Sequence, residues 1–234
     1  MHAFRFDDLA STGPGSSFRL DPKEEAHLFR ILRARPGETV AVMDGHGTVG
    51  TAVVETDRLL RLESKHDILP PARRLHLYFA PPKKQKLDIL LKQAVELGVH
   101  ALVPVLCERS VVQPGETSVS GRWMDLLFEA CKQSGNPFLP VVSGPLPFAA
   151  ALAHARETCG ALVVGSNRTG VFPELGAVSD VAFFVGPEGG FTDAETDAMS
   201  AAGAIPLRIG DWTLRVETAA IAGLGVLNVL MNHG

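Results

Sequence analysis

The chain has 234 residues, 46% of them hydrophobic, and carries 22 basic against 26 acidic side chains for a net charge of −4. That is enough for one large domain or two small ones with real cores, and it excludes a generic polyanion binder, so any nucleic-acid contact must come from a local patch. The three cysteines are scattered without metal-ligand spacing, and no apolar run approaches the ~20 residues of a membrane span, so reduced thiols, no metal site and no membrane contact are expected. The opening "MHAFRFDDLASTG" lacks a basic segment followed by an apolar one, so no signal peptide is read and a cytoplasmic location is expected.

In "DPKEEAHLFRILRARPG", Asp21 is placed to cap a short helix and Pro22 suits its first position. Leu28, Ile31 and Leu32 fall on one face, and Pro36-Gly37 ends the helix. Next comes "TVAVMDGHGTVGTAVVETDRLLRLES", which alternates apolar and polar residues and is broken at Asp44-Gly45 and His46-Gly47, a hairpin signal. Residues 1–70 therefore predict a small, mostly β domain, and "LPPARR" reads as the linker to a second domain over 73–234.

From residue 75 strands alternate with helices. "LHLYFA" predicts a strand, and "KKQKLDILLKQAVELG" a helix with Leu87, Leu90, Leu91, Ala94 and Val95 on one face and Gly98 as its stop. "HALVPVL" is a second strand, and "RWMDLLFEACKQSG" a helix with Trp123, Leu126, Leu127, Ala130 and Cys131 inward. "FAAALAHARE" is a helix, "ALVVG", "VAFFVG" and "IPLRIG" are strands, and "VETAAIAGLGVLNVLMN" is a long apolar helix. Such alternation predicts an α/β fold with a mostly parallel sheet covered on both faces.

Two turns stand out. "FFVGPEGGFTDAE" runs from a buried strand through Gly186, Pro187, Glu188, Gly189 and Gly190 into a helix opened by the capping box Thr192 to Glu195. Glycines there let a ligand approach bare backbone at the carboxyl end of a strand, where open α/β sheets bind ligands. Glycines are also common in ordinary strand-to-helix turns, and the motif is neither G-x-G-x-x-G nor a P-loop. The second turn, "IGDWTLRVETAA", repeats the strand-to-helix transition. Glu217 in the first helical turn is accounted for by the helix dipole, whereas a cation at Arg215 is mildly unfavourable there, which favours a functional role for it.

"GPEGGF" followed by "LRVETAA" resembles the signature pair of the SPOUT superfamily of RNA methyltransferases, and within it the RsmE family of 16S rRNA (uracil-N3)-methyltransferases. "HLFRILRARPGETVAVMDGHG", "KLDILLKQAVELGVHALVPVLCERS" and "RWMDLLFEACKQSG" extend the resemblance over nearly the whole chain. It departs at Asn136, where an arginine is expected, and at Trp212, where a smaller or basic residue is expected. The resemblance implies a PUA-like N-terminal β-barrel that helps hold RNA, and a C-terminal parallel sheet ending in a deep trefoil knot. It also implies S-adenosylmethionine as methyl donor and a homodimer acting on 16S rRNA or the assembled small ribosomal subunit.

It further implies a donor pocket built from Gly165, from Gly186, Pro187, Glu188, Gly189 and Gly190, and from Ile209, Gly210 and Leu214. Transfer to uracil N3 requires an unpaired base, alignment with the methyl group, stabilisation of the base's oxygens and loss of the N3 proton. Arg215 suits the third task, and Glu217, Glu188 or water the last. Arg5, Arg30, Arg33 and Arg109 are candidate RNA contacts, with the cluster Arg73, Arg74, Lys83, Lys84 and Lys86 as a possible phosphate track. Each is also explicable as a surface charge or internal ion pair, and His27 and His46 read as structural. Competing readings are methylation of a ribose 2′-O or guanine N1 of another RNA, and a non-catalytic RNA-binding assembly factor.

Overall fold

A computed structural model describes residues 1–112 and 119–233 of the chain. They form two compact units, residues 1–70 with 128–139, and residues 71–127 with 140–234.

The first unit is a five-stranded sheet of β1 (Ala3–Arg5), β2 (Ser17–Phe18), β3 (Thr39–Met43), β4 (Thr48–Val54) and β5 (Leu60–Asp67), in the order β1-β3-β4-β5-β2. The expected hairpin joins β3 to β4 in antiparallel register. Its turn is held by the buried Asp44, whose Oδ1 accepts the N–H groups of His46 at 2.7 Å and Thr48 at 3.1 Å. Strand β4 alternates between fully and partly buried residues, as its sequence pattern requires. Phe6, just after β1, stacks on Phe18 of β2 with ring centroids 4.0 Å apart. These strands stand at opposite ends of the sheet order, so the sheet curls until its two edges meet around Phe4, Leu9, Leu28, Val42, Leu60 and Leu62.

The expected helix is shorter and differently wound. Asp21 caps it as read, accepting from the Lys23 and Glu24 N–H groups, but α1 spans only Pro22–Ala26, and the chain then widens into a π-turn over His27–Ile31. There the Leu32 N–H donates to the His27 carbonyl at 3.0 Å, five residues back. The wider turn rotates the following side chains, so Leu28 is buried while Ile31 is 71% exposed rather than sharing its face. Arg33 lies beyond the helix with φ 56°, so it and Arg30 are not neighbours on one helix face.

Residues 128–139 complete this unit. Lys132, nearly buried, pairs with Glu24 at 2.7 Å and Glu129 at 2.6 Å. The Arg5 guanidinium lies 4.7 Å from the Phe128 ring centre, and the Leu139 N–H donates to the Gly45 carbonyl at 2.8 Å.

The second unit is a parallel sheet of β6 (Arg74–Phe79), β7 (Ala101–Leu106), β8 (Val141–Val142), β9 (Leu146–Pro147), β10 (Ala161–Gly165), β11 (Asp180–Val185) and β12 (Ile205–Leu207). Its order is β12-β10-β11-β6-β7-β8, with β9 also paired to β7. Strand β11 is buried along its whole length, the mark of a parallel strand with helices on both faces. The helices are α2 (Lys84–Glu96), α3 (Met124–Ser134, which runs on into the residues grouped with the first unit), α4 (Phe148–Thr158), α5 (Asp193–Ala201) and α6 (Val216–His233).

Helix α2 ends as expected. Gly98 adopts φ 71°, its N–H donates to Val95 at 2.9 Å and the Val99 N–H to Ala94 at 3.0 Å, the double bond of a Schellman motif. Its five expected inward residues are all buried. One sheet face packs Tyr78, Val103, Ala182 and Phe184 against α4 and Met199 of α5. The other receives α6, where Gly223 is needed because a Cβ would lie 2.2 Å from the Phe183 ring. Burial of such Leu and Phe side chains contributes roughly 2 kcal/mol each.

At the amino edge of the sheet a polar cluster replaces apolar packing. Asp180 accepts from Arg74 at 2.8 Å and from Ser179 at 3.1 Å, and is bonded to His76 Nε2 at 2.8 Å. Burial pushes its carboxyl up, but the hydrogen bonds from Arg74, His76 and Ser179 outweigh it and hold the group at about 2. A carboxyl depressed on folding stabilises the fold above its unfolded value near 3.8, and that contribution is lost as pH falls towards 2. Asp180→Asn should therefore lower stability at neutral pH by about 1–3 kcal/mol. It should also flatten the fall in stability between about pH 4 and pH 2. Urea unfolding of both proteins across that range checks this; parallel pH profiles would contradict it.

Candidate functional site

The parallel register fixes where the loops emerge. Val164 pairs with Phe184, Gly165 with Leu207, and Val185 with Phe79, so β10, β11, β12 and β6 all end at one carboxyl edge. The two glycine-rich turns and the segment after Gly165 leave from that edge.

The first turn is tightly specified. The Gly190 N–H donates to the Pro187 carbonyl at 2.8 Å, and Gly190 adopts φ 70°. Gly186 is required because a Cβ there would lie 2.9 Å from the Phe191 ring, which itself packs towards Phe148. Pro187 is buried, while Glu188, Gly189 and Gly190 are exposed, so the tip offers main chain to solvent.

Two side chains hold this turn. Arg109 donates through Nη1 to the carbonyls of Gly189 at 3.0 Å and Phe191 at 3.4 Å. Expected from sequence as an RNA contact, it is placed here as a brace across the turn. Glu195, 7% exposed, closes the expected capping box through Oε2 to the Thr192 N–H at 2.8 Å. Its Oε1 accepts the Glu108 N–H at 2.9 Å, so one buried carboxylate ties the segment after β7 to the head of α5. The capping box was legible in the sequence; the second bond, spanning 87 residues, was not.

The second turn is tied to the segment after β10. The Ser166 N–H donates to Leu207 at 2.9 Å and the Val171 N–H to Pro206 at 2.9 Å, and the Asn167 amide donates to Thr213 Oγ1 at 3.2 Å. Gly170 passes so close to Arg208 that a Cβ would lie 2.3 Å from the Arg208 nitrogen. Arg208 in turn donates to the Gly210 carbonyl at 3.2 Å and to Asp211 at 2.9 Å. The structure thus brings together the Gly165 segment and the Ile209, Gly210 and Leu214 turn. The Gly186 to Gly190 turn leaves the adjoining strand at the same edge.

Of the expected chemical groups, Arg215 stands immediately before α6, its carbonyl accepting the Ala219 N–H at 2.8 Å. Its side chain is exposed and forms no ion pair with the described residues. Glu188 is exposed on the first turn. Glu217 is different: it faces Lys86 of α2 at 3.8 Å, and its Oε2 is buried without a hydrogen-bond partner among the described residues. Lys86, expected in a phosphate track, stands in this pair, and Arg74 pairs with Asp180.

The thiols do not enter the chemistry. Cys107, Cys131 and Cys159 are buried and free, and burial pushes Cys107 and Cys131 up to about 12, so they stay protonated. In the first unit Arg30 and Arg33 are exposed, whereas Arg5 is engaged with Asp7 at 2.6 Å and with the Phe128 ring. Among the described residues there is no cluster of groups able to hold a metal ion, and no helix is long and apolar enough to cross a membrane.

Comparison with known proteins agrees with this layout. Residues 70–228 match the model of an RNA methyltransferase domain family, and residues 20–63 that of an RNA methyltransferase PUA domain. The chain is 32% identical to the ribosomal RNA small subunit methyltransferase E of Synechocystis, over 88% of this chain and 70% of that protein. It is 30% identical to the protein of the same name from Mycobacterium bovis, over 98% and 92%. Among solved structures it is similar to a ribosomal RNA small subunit methyltransferase E from Neisseria gonorrhoeae bound to S-adenosylmethionine. That likeness has a TM-score of 0.86 at 26% identity and covers 98% of each chain.

Proposed function

The chain belongs to the RNA methyltransferase family, of the ribosomal RNA small subunit methyltransferase E type, and on that premise we propose that it methylates N3 of a uridine in 16S rRNA, with S-adenosylmethionine as donor. The observation that carries the proposal is the meeting of bare turns at one sheet edge, beside an exposed arginine with no ion pair among the described residues. Residues 1–70 act in this reading as the RNA-holding domain and 73–234 as the transferase domain.

The site fits the donor. Gly165, Gly186, Pro187, Gly189 and Gly190, with Ile209, Gly210 and Leu214, present main-chain donors and acceptors suited to a purine edge, with small apolar groups between them. When bound, S-adenosylmethionine supplies a methyl group made electrophilic by its sulfonium. The chain's residues do the rest. The turns fix the orientation of the reacting groups, a contribution of several kcal/mol in such reactions. Arg215 directs its guanidinium at a uracil carbonyl oxygen, where negative charge grows as the N3 proton is lost; one such donor is worth roughly 3 kcal/mol. The proton passes to water or to a carboxylate. Glu188 is open to solvent, and Glu217 lies beside Lys86.

Arg30 and Arg33 take RNA phosphates, with Arg5 and Arg109 contributing the donors their internal contacts leave free. A trefoil knot is supported by the strand order: β12 follows β11 in the chain yet pairs beyond β10, and α6 then returns to pack on β6, β10 and β11. A homodimer is supported by an open apolar groove of about 440 Å³ on α6, lined by Phe172, Ala222, Gly225, Val226, Val229 and Leu230. Phe172 there is 69% and Val229 58% exposed. Light scattering should return twice the 25.0 kDa chain mass, and a single-chain mass would contradict it.

The reaction is tested by incubating the protein with S-adenosylmethionine and small ribosomal subunits or 16S rRNA from a strain lacking this chain, then mapping modified nucleotides by mass. N3-methyluridine is the expected product. A 2′-O-methyl or N1-methylguanine product moves the target, and no product leaves an assembly factor. Arg215→Ala should slow transfer by about 100-fold or more while leaving donor affinity unchanged; wild-type turnover would refute the role given to Arg215.

A further inference from the structure

Trp212 is 84% exposed, whereas the chain's other tryptophan, Trp123, is 2% exposed. An exposed indole forfeits the largest apolar burial available to any side chain, and here no packing failure explains it. The backbone around it is tied down on both sides. Arg208 holds Gly210 and Asp211, Thr213 is bonded to Asn167, and α6 begins at Val216. A braced turn therefore presents the ring outward at the carboxyl edge, three residues from Arg215. Among the described residues no other ring or cation packs on it.

The surroundings say what it meets. Arg168, Arg208 and Arg215 are all exposed on the two linked segments, and among the described residues Arg208 alone of the three has a carboxylate partner, Asp211. A flat apolar face among guanidinium groups suits an unpaired nucleobase flanked by phosphates. It does not suit the same surface of a second copy, where like charges would face each other. Trp212 is not among the residues that line the apolar groove of Phe172 and α6. We propose that Trp212 is a base-stacking platform that holds an unpaired nucleotide of the RNA substrate beside Arg215, which makes it a substrate-positioning residue. This inference rests on the RNA methyltransferase reading of the same site.

With Trp123 shielded, quenching of tryptophan emission by a short oligouridylate reports on Trp212. Quenching that saturates in wild-type protein and is absent in Trp212→Ala is expected. In the transfer assay Trp212→Ala should raise KM for 16S rRNA about tenfold, the loss of one stacked base. S-adenosylmethionine affinity and melting temperature should stay unchanged, and Trp212→Phe should recover most of the lost RNA affinity. Emission that ignores the oligouridylate, or a wild-type KM in Trp212→Ala, overturns the proposal. So does a loss of S-adenosylmethionine affinity, which would make the indole a cover for the donor, or a change in solution mass, which would make it a self-association contact. Wild-type protein that is quenched by oligouridylate yet transfers no methyl group keeps the platform and removes the reaction.

Discussion

Everything at the site depends on the register of a parallel sheet. Because Val164 faces Phe184, Gly165 faces Leu207 and Val185 faces Phe79, strands far apart in the chain end level with one another. Their following turns then have no choice but to open at the same edge. The turns themselves are poor in side chains, and they hold their shape through a few well-placed partners. The ring of Phe191 fills the space a Cβ on Gly186 would need, Arg109 grips the carbonyls beyond it, and the buried Glu195 carboxylate joins that turn to the segment after β7. A bare backbone can thus be presented to a ligand without the disorder that glycines usually bring.

The two edges of the sheet divide the work. At the amino edge Asp180 is hydrogen-bonded by Arg74, His76 and Ser179, a polar cluster that contributes stability. At the carboxyl edge Arg215 is exposed with no ion pair among the described residues, and Glu217 faces Lys86.

The strand-helix alternation of the second unit was legible because each long element carried its own signal: five apolar positions on α2 with a glycine stop, the apolar run Val181–Val185 in β11, and a capping box at α5. The 44–47 turn was legible for the same reason. What escaped were features set by distant residues. The π-turn at His27–Ile31 accompanies the burial of Leu28 in the core of the curled sheet, and no periodicity announces it. Strands β8 and β9, two residues each, are too short to carry a period. The grouping of residues 128–139 with the first seventy depends on a buried Lys132–Glu24 pair 108 residues apart. Within the site the glycines and Arg215 could be picked out from local mismatch. Sequence shows the charges of Arg109 and Lys86 but not their partners; the structure adds a bond from Arg109 to the Gly189 carbonyl and places Lys86 3.8 Å from Glu217.

The central claim is that turns leaving β11 and β12, on either side of β10, enclose one donor. A crystal structure of the protein grown with S-adenosylhomocysteine tests it most directly. The account predicts the nucleoside lodged against the main chain of both residues 186–190 and residues 209–214, with Arg215 facing its sulfur. Density for the nucleoside elsewhere, or contact with one turn while the other stands away from it, would contradict it.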